Sequence, residues 1–240
     1  QARQQEPAKS RTPMIVLAAE TAPAAIHSNF AMDQAAFATS LGAVAERIHS
    51  PESALADTVR AYKTALRERK TVVLNLPLNV QAAAPVSELP QVTVNQPNPI
   101  RPSVNEAEAL AEALRNSQKP VFVAGRGGRH AKREIMELAA HTGALVATSA
   151  VVKGLFNEDD FNLGISGGFS SPTSAKLISE ADLIVSFGCA LNMWTMRHGS
   201  LIGDTAVVAQ VDIEDSALGA HRHVDLPVLG DTAATAADVL

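Results

Sequence analysis

The chain has 240 residues, of which 46% are hydrophobic and 19% charged, and its formal net charge is −5 at pH 7. This is an ordinary globular composition with room for one large domain or two modest ones, and the acidic balance argues against a nucleic-acid-binding protein. No apolar run reaches the roughly 18 residues that a membrane-spanning helix needs, so no membrane partner is predicted.

Residues 1–82 are predicted to pack strands against helices. The predicted elements are a strand at 14–19, helices at 32–48 and 52–69, and a strand at 71–80. The second helix has the clearest pattern, because apolar residues from Leu55 to Leu66 recur at helical spacing, and Ser50 and Pro51 are predicted to open it. Two strands are too few to close a sheet, so this segment is interpreted as the second half of a domain whose beginning is absent.

Residues 83–104 are predicted to be a linker between two domains. The segment holds five prolines and has little hydrophobic periodicity. Proline keeps such a segment extended and stiff. The second domain, residues 105–240, is expected to start with a helix at 106–117, which the capping-box residues Ser103 and Glu106 open.

The second domain alternates strands and helices. The predicted elements are strands at 120–125, 144–149, 182–188, 206–214 and 226–230, and helices at 130–142, at 173–180 and from Asp231 onwards. This order predicts an α/β fold in which helices cover both faces of a parallel sheet. Ligands of such sheets bind at the carboxyl ends of the strands, so the residues after each strand form the candidate site.

The most informative strand end is the run GRGGR, which begins at Gly125 and includes Arg126. Glycine lets the backbone approach a ligand, and the amides of Gly127 and Gly128 are expected to donate to an anion such as a diphosphate. The dinucleotide-binding fingerprint has a sixth-position glycine where this chain has His130, so the match is partial.

Positive charge crowds the start of the helix that follows GRGGR. The cations are Arg126, Arg129, Lys132 and Arg133. Cations at a helix N-terminus are disfavoured by about 0.3–1 kcal/mol each, and a bound phosphate would reverse that sign. The alternative is a solvated face on which Arg133 pairs with Glu137 one turn later.

Four further strand ends carry small or polar residues that suit a nucleotide. They contain Lys153 with Gly154, Gly167 with Gly168, Asn192, and Asp212 with Glu214. An acidic residue at a late strand end can accept hydrogen bonds from ribose hydroxyls. Several such loops in one sheet suggest a long ligand that lies across it.

The sequence offers no identifiable catalytic residue and no metal site. The single cysteine, Cys189, excludes a disulfide framework, predicts a cytoplasmic location and is expected to pack at a strand end. His221 and His223 lie two residues apart and would need further ligands to bind a metal.

The order of these segments resembles that of thiamine diphosphate enzymes, above all the acetolactate synthase and pyruvate oxidase group. The runs RTPMIVLAAETA and TVVLNLPLNVQ resemble the closing half of the family's pyrimidine-binding domain. The runs KPVFVAGRGG, EADLIVSFGCALN and VAQVDIEDSALG resemble its Rossmann-like central domain. The resemblance covers nearly the whole chain.

The resemblance implies thiamine diphosphate and Mg²⁺ as cofactors of the full-length enzyme, and FAD, ADP or neither in the central domain. Carried over, residues 125–127 would meet the diphosphate, and Lys153–Gly154 and Gly167–Gly168 would flank the flavin. Asn192 would lie in the loop that cradles the nucleotide, and Asp212 and Glu214 would approach the adenosine. Asp33 and Gln34 occupy the place of a Gln-Glu pair of the family.

The resemblance implies an enzyme that makes or breaks carbon–carbon bonds of 2-oxo acids and works as a homodimer or homotetramer. The family's activating glutamate would precede residue 1 and its magnesium motif would follow residue 240, so this chain alone is expected to be inactive. The alternatives are a nucleotide-binding module for FAD or ADP and a non-catalytic subunit of the same fold.

Overall fold

The computed structural model describes residues 11–84, 86 and 90–240. The chain divides into two compact units, Gln1–Asn98 and Pro99–Leu240. The division falls inside the segment predicted to be a linker, whose described residues up to Ser103 form neither helix nor strand.

The first unit is built on a three-stranded parallel sheet in the order β1-β3-β2. Its elements are β1 (Met14–Glu20), α1 (Gln34–Ser40), β2 (Val44–Arg47), α2 (Ala54–Arg67), β3 (Thr71–Pro77) and α3 (Leu78–Gln81). The central strand β3 is buried along nearly its whole length. Val72 and Leu74 pack on α2, and Val73, which points to the opposite face, packs on Ala38 of α1.

The predicted helix at 32–48 is wrong beyond Ser40. Helix α1 ends there, and Gly42 follows with a φ of 81°, a left-handed conformation that favours glycine and stops a helix. Residues 44–47 then pair with β3, with Val44 opposite Val72. The apolar residues that suggested a longer helix therefore belong to a short strand.

Two smaller boundaries also differ from the prediction. The strand predicted at 71–80 ends at Pro77, after which the chain makes the single turn of α3. Helix α2 starts with Ser53, not Ser50, at its N-cap position. The two serines bond to each other instead, since the amide of Ser53 donates to the Ser50 hydroxyl over 3.2 Å.

A buried carboxylate joins the end of β2 to α2 in the first unit. Asp57 is 4% exposed and accepts hydrogen bonds from the amide of His49 at 2.9 Å, the hydroxyl of Ser53 at 2.8 Å and the guanidinium of Arg60 at 2.8 Å. Burial alone would raise the pKa of Asp57, but these donors stabilise the charged form and lower the pKa below its usual value. Asp57 is therefore a fully satisfied structural anion.

The second unit is a six-stranded sheet in which every neighbouring pair of strands is parallel. Its strands are β4 (Pro120–Ala124), β5 (Leu145–Thr148), β6 (Asn162–Ile165), β7 (Leu183–Phe187), β8 (Val207–Asp212) and β9 (Leu226–Leu229). Its helices are α4 (Val104–Asn116), α5 (Lys132–Thr142), α6 (Pro172–Ser179) and α7 (Thr232–Val239). The predicted capping box is present, since Ser103 and Glu106 bond reciprocally at the start of α4.

The strand order β6-β5-β4-β7-β8-β9 reverses direction between β4 and β7. Buried residues of α4, α5 and α7 pack on one face of the sheet around Phe122 and Val185. Helix α6 and buried residues from Cys189 to Leu201 pack on the other face around Val121 and Ile184. The α/β fold with a parallel sheet covered on both faces is therefore confirmed.

Strand β6 was not predicted. It is a four-residue strand at one edge of the sheet, none of its residues is fully buried, and its pairing with β5 is interrupted by a shift of register. A short, irregular edge strand has too few residues to display the alternation that marks a strand. The segment therefore resembled a loop.

The Asp57 network predicts how acid affects the first unit. Asp57→Asn is expected to lower the free energy of unfolding at pH 7 by about 1.5–3 kcal/mol, the scale of lost hydrogen bonds to a charged group. Because folding lowers the pKa, the contribution of Asp57 is complete above the unfolded pKa of about 3.9 and is lost as the pH falls through the folded pKa.

The measurement is urea unfolding followed by the fluorescence of Tyr62, the only tyrosine of the chain, which lies in α2. The difference between wild type and Asp57→Asn should be constant from about pH 7 to 5 and should shrink below about pH 4. A difference that persists undiminished at about pH 2 would contradict this account.

Candidate functional site

The carboxyl ends of β4 and β7 meet at the centre of the second unit, where the strand order reverses. The loops that leave two such strands turn to opposite faces of a parallel sheet and leave a crevice in which ligands bind. The predicted run GRGGR follows β4, and the loop with Asn192 follows β7. The structure thus places two of the predicted site segments at the reversal of the sheet.

The two loops touch through their backbones. The amide of Gly125 donates to Phe187 O and the amide of Gly127 donates to Gly188 O, both over 3.0 Å. A Cβ added to Gly127 would lie 2.8 Å from the Cα of Gly188, and one added to Gly125 would lie 2.4 Å from the Cα of Cys189. The close approach of the loops is therefore sufficient to explain why both positions hold glycine.

This contact changes the expected role of the glycine amides. The amide of Gly127 is committed to Gly188 O, and the amide of Gly128 donates to Gly125 O over 3.0 Å. Both donors that were expected to point at an anion are used within the protein. An anion at this place would depend on side chains rather than on these two amides.

The cations near GRGGR are partly neutralised. Residues 126–130 form a 3-10 turn before α5 begins at Lys132. Lys132 pairs with Glu158 at 3.0 Å. Arg133 forms its ion pair with its neighbour Glu134 at 2.7 Å, not with Glu137, the partner named in the alternative of a solvated face. Exposed pairs of this kind contribute little to stability and leave the side chains able to exchange partners.

The loops after β6 and β7 also pack on each other. The amide of Gly168 donates to Trp194 O over 3.0 Å, and Gly167 has a φ of 101° with its Cα facing the same backbone. Asn192 accepts hydrogen bonds from the amides of Trp194 and Thr195, both over 3.0 Å. The predicted residues 167, 168 and 192 are therefore brought together, and the Asn192 side chain shapes its own loop.

The remaining predicted residues lie after β5 and at the end of β8. Lys153 is exposed, and Gly154, with a φ of 92°, forms the turn after it. Asp212 and Glu214 are half-buried, and the Asp212 carboxylate accepts a hydrogen bond from the amide of Glu214 over 3.1 Å. These residues share the carboxyl edge of the sheet with the other candidates.

Sequence reasoning missed an apolar surface on the same edge. Phe169 is 76% exposed, Trp194 is 69% exposed, and Met193 is also exposed. Trp194 is the only tryptophan of the chain, so its place in a strand-end loop was a signal that could have been used. Exposed apolar side chains that lie together are typical of surfaces that bind ligands or partners.

Cys189 is not a reactive group of this site. The thiol is 2% exposed and packs among Leu191, Met196 and Ile184, as expected for a cysteine at a strand end. Burial raises its pKa to about 12, so the thiol stays protonated at neutral pH.

In the described part of the chain, no three His, Cys, Asp or Glu side chains are grouped so that they could hold a metal ion. Nor does any helix there combine the length and apolarity needed to cross a bilayer.

Comparison with known proteins decides the family. The family model described as the thiamine pyrophosphate enzyme central domain matches residues 107–239, which is almost the whole second unit. The chain belongs to the thiamine pyrophosphate enzyme family. This confirms the resemblance that the sequence suggested.

Relatives of this thiamine pyrophosphate enzyme chain match it over different lengths. An acetolactate synthase of Mycobacterium bovis is 29% identical over 65% of this chain and 25% of its own length. Oxalyl-CoA decarboxylase of Escherichia coli is 25% identical over 85% of this chain and 36% of its own length. The chain thus spans between a quarter and about a third of these relatives.

A solved structure shares the fold. The X-ray structure of a protein described as a thiamin diphosphate-dependent enzyme from Mycobacterium smegmatis covers 99% of this chain and 47% of its own, with a TM-score of 0.78 and 16% identity. The likeness extends the family's fold to both units of this chain.

The contact between the two central loops generates a test. Gly127→Ala is expected to lower the free energy of unfolding of the second unit by about 1–3 kcal/mol, because the new methyl group would overlap the backbone of Gly188. Gly168→Ala is the matched control, since nothing lies within 4 Å of a Cβ at that glycine.

Urea unfolding followed by Trp194 fluorescence reports the second unit, which holds the only tryptophan. The control is expected to change stability by less than about 0.5 kcal/mol. Equal losses in the two variants would show that the loop contact does not require glycine at 127.

Proposed function

We propose that these 240 residues serve a thiamine diphosphate-dependent enzyme that makes or breaks carbon–carbon bonds of 2-oxo acids. The observation that carries the proposal is the family match over the second unit, whose strand order reverses at its centre. The relatives named as acetolactate synthase and oxalyl-CoA decarboxylase support this class of reaction. Transferase and lyase chemistry are both within it.

Thiamine diphosphate, when bound, serves as the electron sink for carbanion chemistry, and the protein positions it and excludes water. We propose that this chain alone does not bind thiamine diphosphate and is inactive, because the resemblance to the family implies that the activating glutamate and the magnesium motif belong to other segments of the full-length enzyme.

Calorimetry tests this proposal. The 240-residue chain is expected to show no Mg²⁺-dependent binding of thiamine diphosphate. The full-length enzyme is expected to bind the cofactor and to consume a 2-oxo acid. A chain that binds the cofactor tightly by itself would place the active site within these residues. A longer protein that binds neither the cofactor nor a 2-oxo acid would favour the non-catalytic subunit.

For the second unit we propose an adenine nucleotide site, FAD or ADP, at the carboxyl edge of its sheet. Arg126 would contact the diphosphate through its planar guanidinium, with Arg129 as a nearby second charge and the glycine loop as support. Lys153, Gly154, Gly167, Gly168 and Asn192 would border the middle of the ligand. Asp212 and Glu214 would accept hydrogen bonds from the ribose.

A pair of charge reversals tests the nucleotide site. Arg126→Glu is expected to weaken ADP or FAD binding by about 1.5–3 kcal/mol, the scale of a charge-assisted hydrogen bond, which is roughly 10- to 150-fold in Kd. Arg133→Glu is the control, because Arg133 lies within α5 and pairs with Glu134. If titration calorimetry shows equally small losses of nucleotide affinity in both variants, the cationic cluster is a solvated face and not a nucleotide site.

We also propose a homodimer or homotetramer for the full-length enzyme, with residues 27–48 near the subunit interface. The exposed apolar side chains of Phe30 and Met32 in this segment support an interface there. Light scattering of the full-length enzyme at micromolar concentration tests the assembly, and a monomer would contradict it. A cytoplasmic location remains part of the proposal.

A further inference from the structure

The return segment, residues 213–225, joins β8 to β9 in the second unit. Because these two strands are parallel, the chain between them must run from the carboxyl edge of the sheet back to its amino edge. Val224 packs on the same buried cluster as Leu191, so the return segment crosses the face of the sheet that α6 covers. Glu214, a candidate ribose acceptor, lies at its start.

Hydrogen bonds fix the return segment to β8 at two places. The Gln210 side chain, which is 2% exposed, donates to Ala217 O over 3.1 Å and accepts from the amide of Gly219 over 3.0 Å. Further along, the amide of Asp225 donates to Val208 O over 2.9 Å, and the Asp225 carboxylate accepts from the Val208 amide over 2.8 Å. The residues between these contacts are therefore anchored at both ends.

Arg222 lies between these two anchors and contacts the loop after β7. Its Nε donates to Leu191 O over 2.7 Å. A Cβ added to Gly199 would lie 3.3 Å from Nη1 of Arg222, so the guanidinium also packs on the backbone at Gly199. Leu191 and Gly199 are the two ends of the Asn192 segment, residues 191–199. One side chain of the return segment therefore contacts both ends of the Asn192 segment.

The Asn192 segment ends in a backbone conformation that side chains other than glycine disfavour. Arg197, His198 and Gly199 have φ angles of 47°, 56° and 100°, which are all left-handed. Such a conformation persists only where the surrounding structure stabilises it. The contact of Arg222 with Gly199 is one source of that stabilisation.

A guanidinium is a costly side chain at this position. Arg222 is half-buried, and burial lowers its pKa. In the described part of the chain no carboxylate pairs with it to offset the lost hydration. An apolar side chain of similar length would pack here without that cost, so what arginine contributes is the hydrogen bond to Leu191 O.

We propose that Arg222 is a positioning residue of the second unit, which fixes the Asn192 segment relative to the return segment. The two segments would border the nucleotide from different strands, through Asn192 and Glu214, so their spacing determines whether one ligand reaches both. The inference rests on the proposed nucleotide site. The effect of Arg222 on the Asn192 segment can be measured without any ligand.

Arg222→Met and Arg222→Gln form a matched pair of variants. The Nε2 atom of glutamine lies the same number of bonds from Cα as the Nε atom of arginine, so Arg222→Gln keeps a donor for Leu191 O. Methionine has a similar length and no donor. In hydrogen–deuterium exchange without ligand, Arg222→Met is expected to exchange the amides of residues 192–199 about tenfold faster than wild type, because a hydrogen bond from a charged group is lost.

Nucleotide affinity separates a positioning role from a merely structural one. In titration calorimetry with the whole 240-residue chain, Arg222→Met is expected to weaken ADP binding about fivefold or more, while Arg222→Gln stays within about twofold of wild type. A merely structural arginine would lower the melting temperature of Arg222→Met and leave its Kd for ADP unchanged, and that result overturns the proposal. Exchange in Arg222→Met no faster than in Arg222→Gln also overturns it.

The wild type distinguishes failure of the nucleotide site from failure of the role of Arg222. A wild type that binds neither ADP nor FAD overturns the nucleotide site, and the positioning role with it. If Arg222→Met does not fold, the wild type alone decides: saturating ADP is expected to slow exchange of the Arg222 Nε–H and of the amides of residues 192–199. Unchanged exchange rates with bound ADP overturn the proposal.

Discussion

The approach of two backbones at the reversal of the six-stranded sheet is the constraint on which the candidate site depends. The amide of Gly127 donates to Gly188 O over 3.0 Å. The two backbones are so close that a Cβ on Gly127 would lie only 2.8 Å from the Cα of Gly188. Because β4 and β7 are the central strands, this contact sets where the loops after both of them leave the sheet. The loop after β7 then carries Asn192 and Trp194 to the loop after β6.

A glycine-rich strand end can therefore have two physical causes that look alike in a sequence. One is the approach of a ligand, and the other is the approach of a second loop. In this chain the second cause is sufficient at Gly125 and Gly127. Their amides donate to backbone oxygens of residues 187 and 188, and a Cβ at either position would overlap the backbone of residues 188 and 189. The partial match of GRGGR to the dinucleotide fingerprint, with His130 at its last position, agrees with this division of roles.

The elements that were predictable are those whose signal is local. The capping box of Ser103 and the helical spacing in α2 act within a few residues, and both are present in the structure. The predictions were wrong where contacts between residues far apart in the sequence determine the local structure. Gly42 ends α1 so that β2 can pair with β3, β6 exists only through its pairing with β5, and the loop contact that engages Gly127 comes from Gly188, which lies far along the chain.

Buried polar groups in the first unit fall into two kinds, which differ in what they contribute to the stability of the fold. Asp57 is buried and accepts hydrogen bonds from the amide of His49, the hydroxyl of Ser53 and the guanidinium of Arg60, so its charge joins the end of β2 to α2. Asn75 is equally buried, but its Oδ1 accepts no hydrogen bond from the described residues. Folding alone favours the first arrangement and opposes the second.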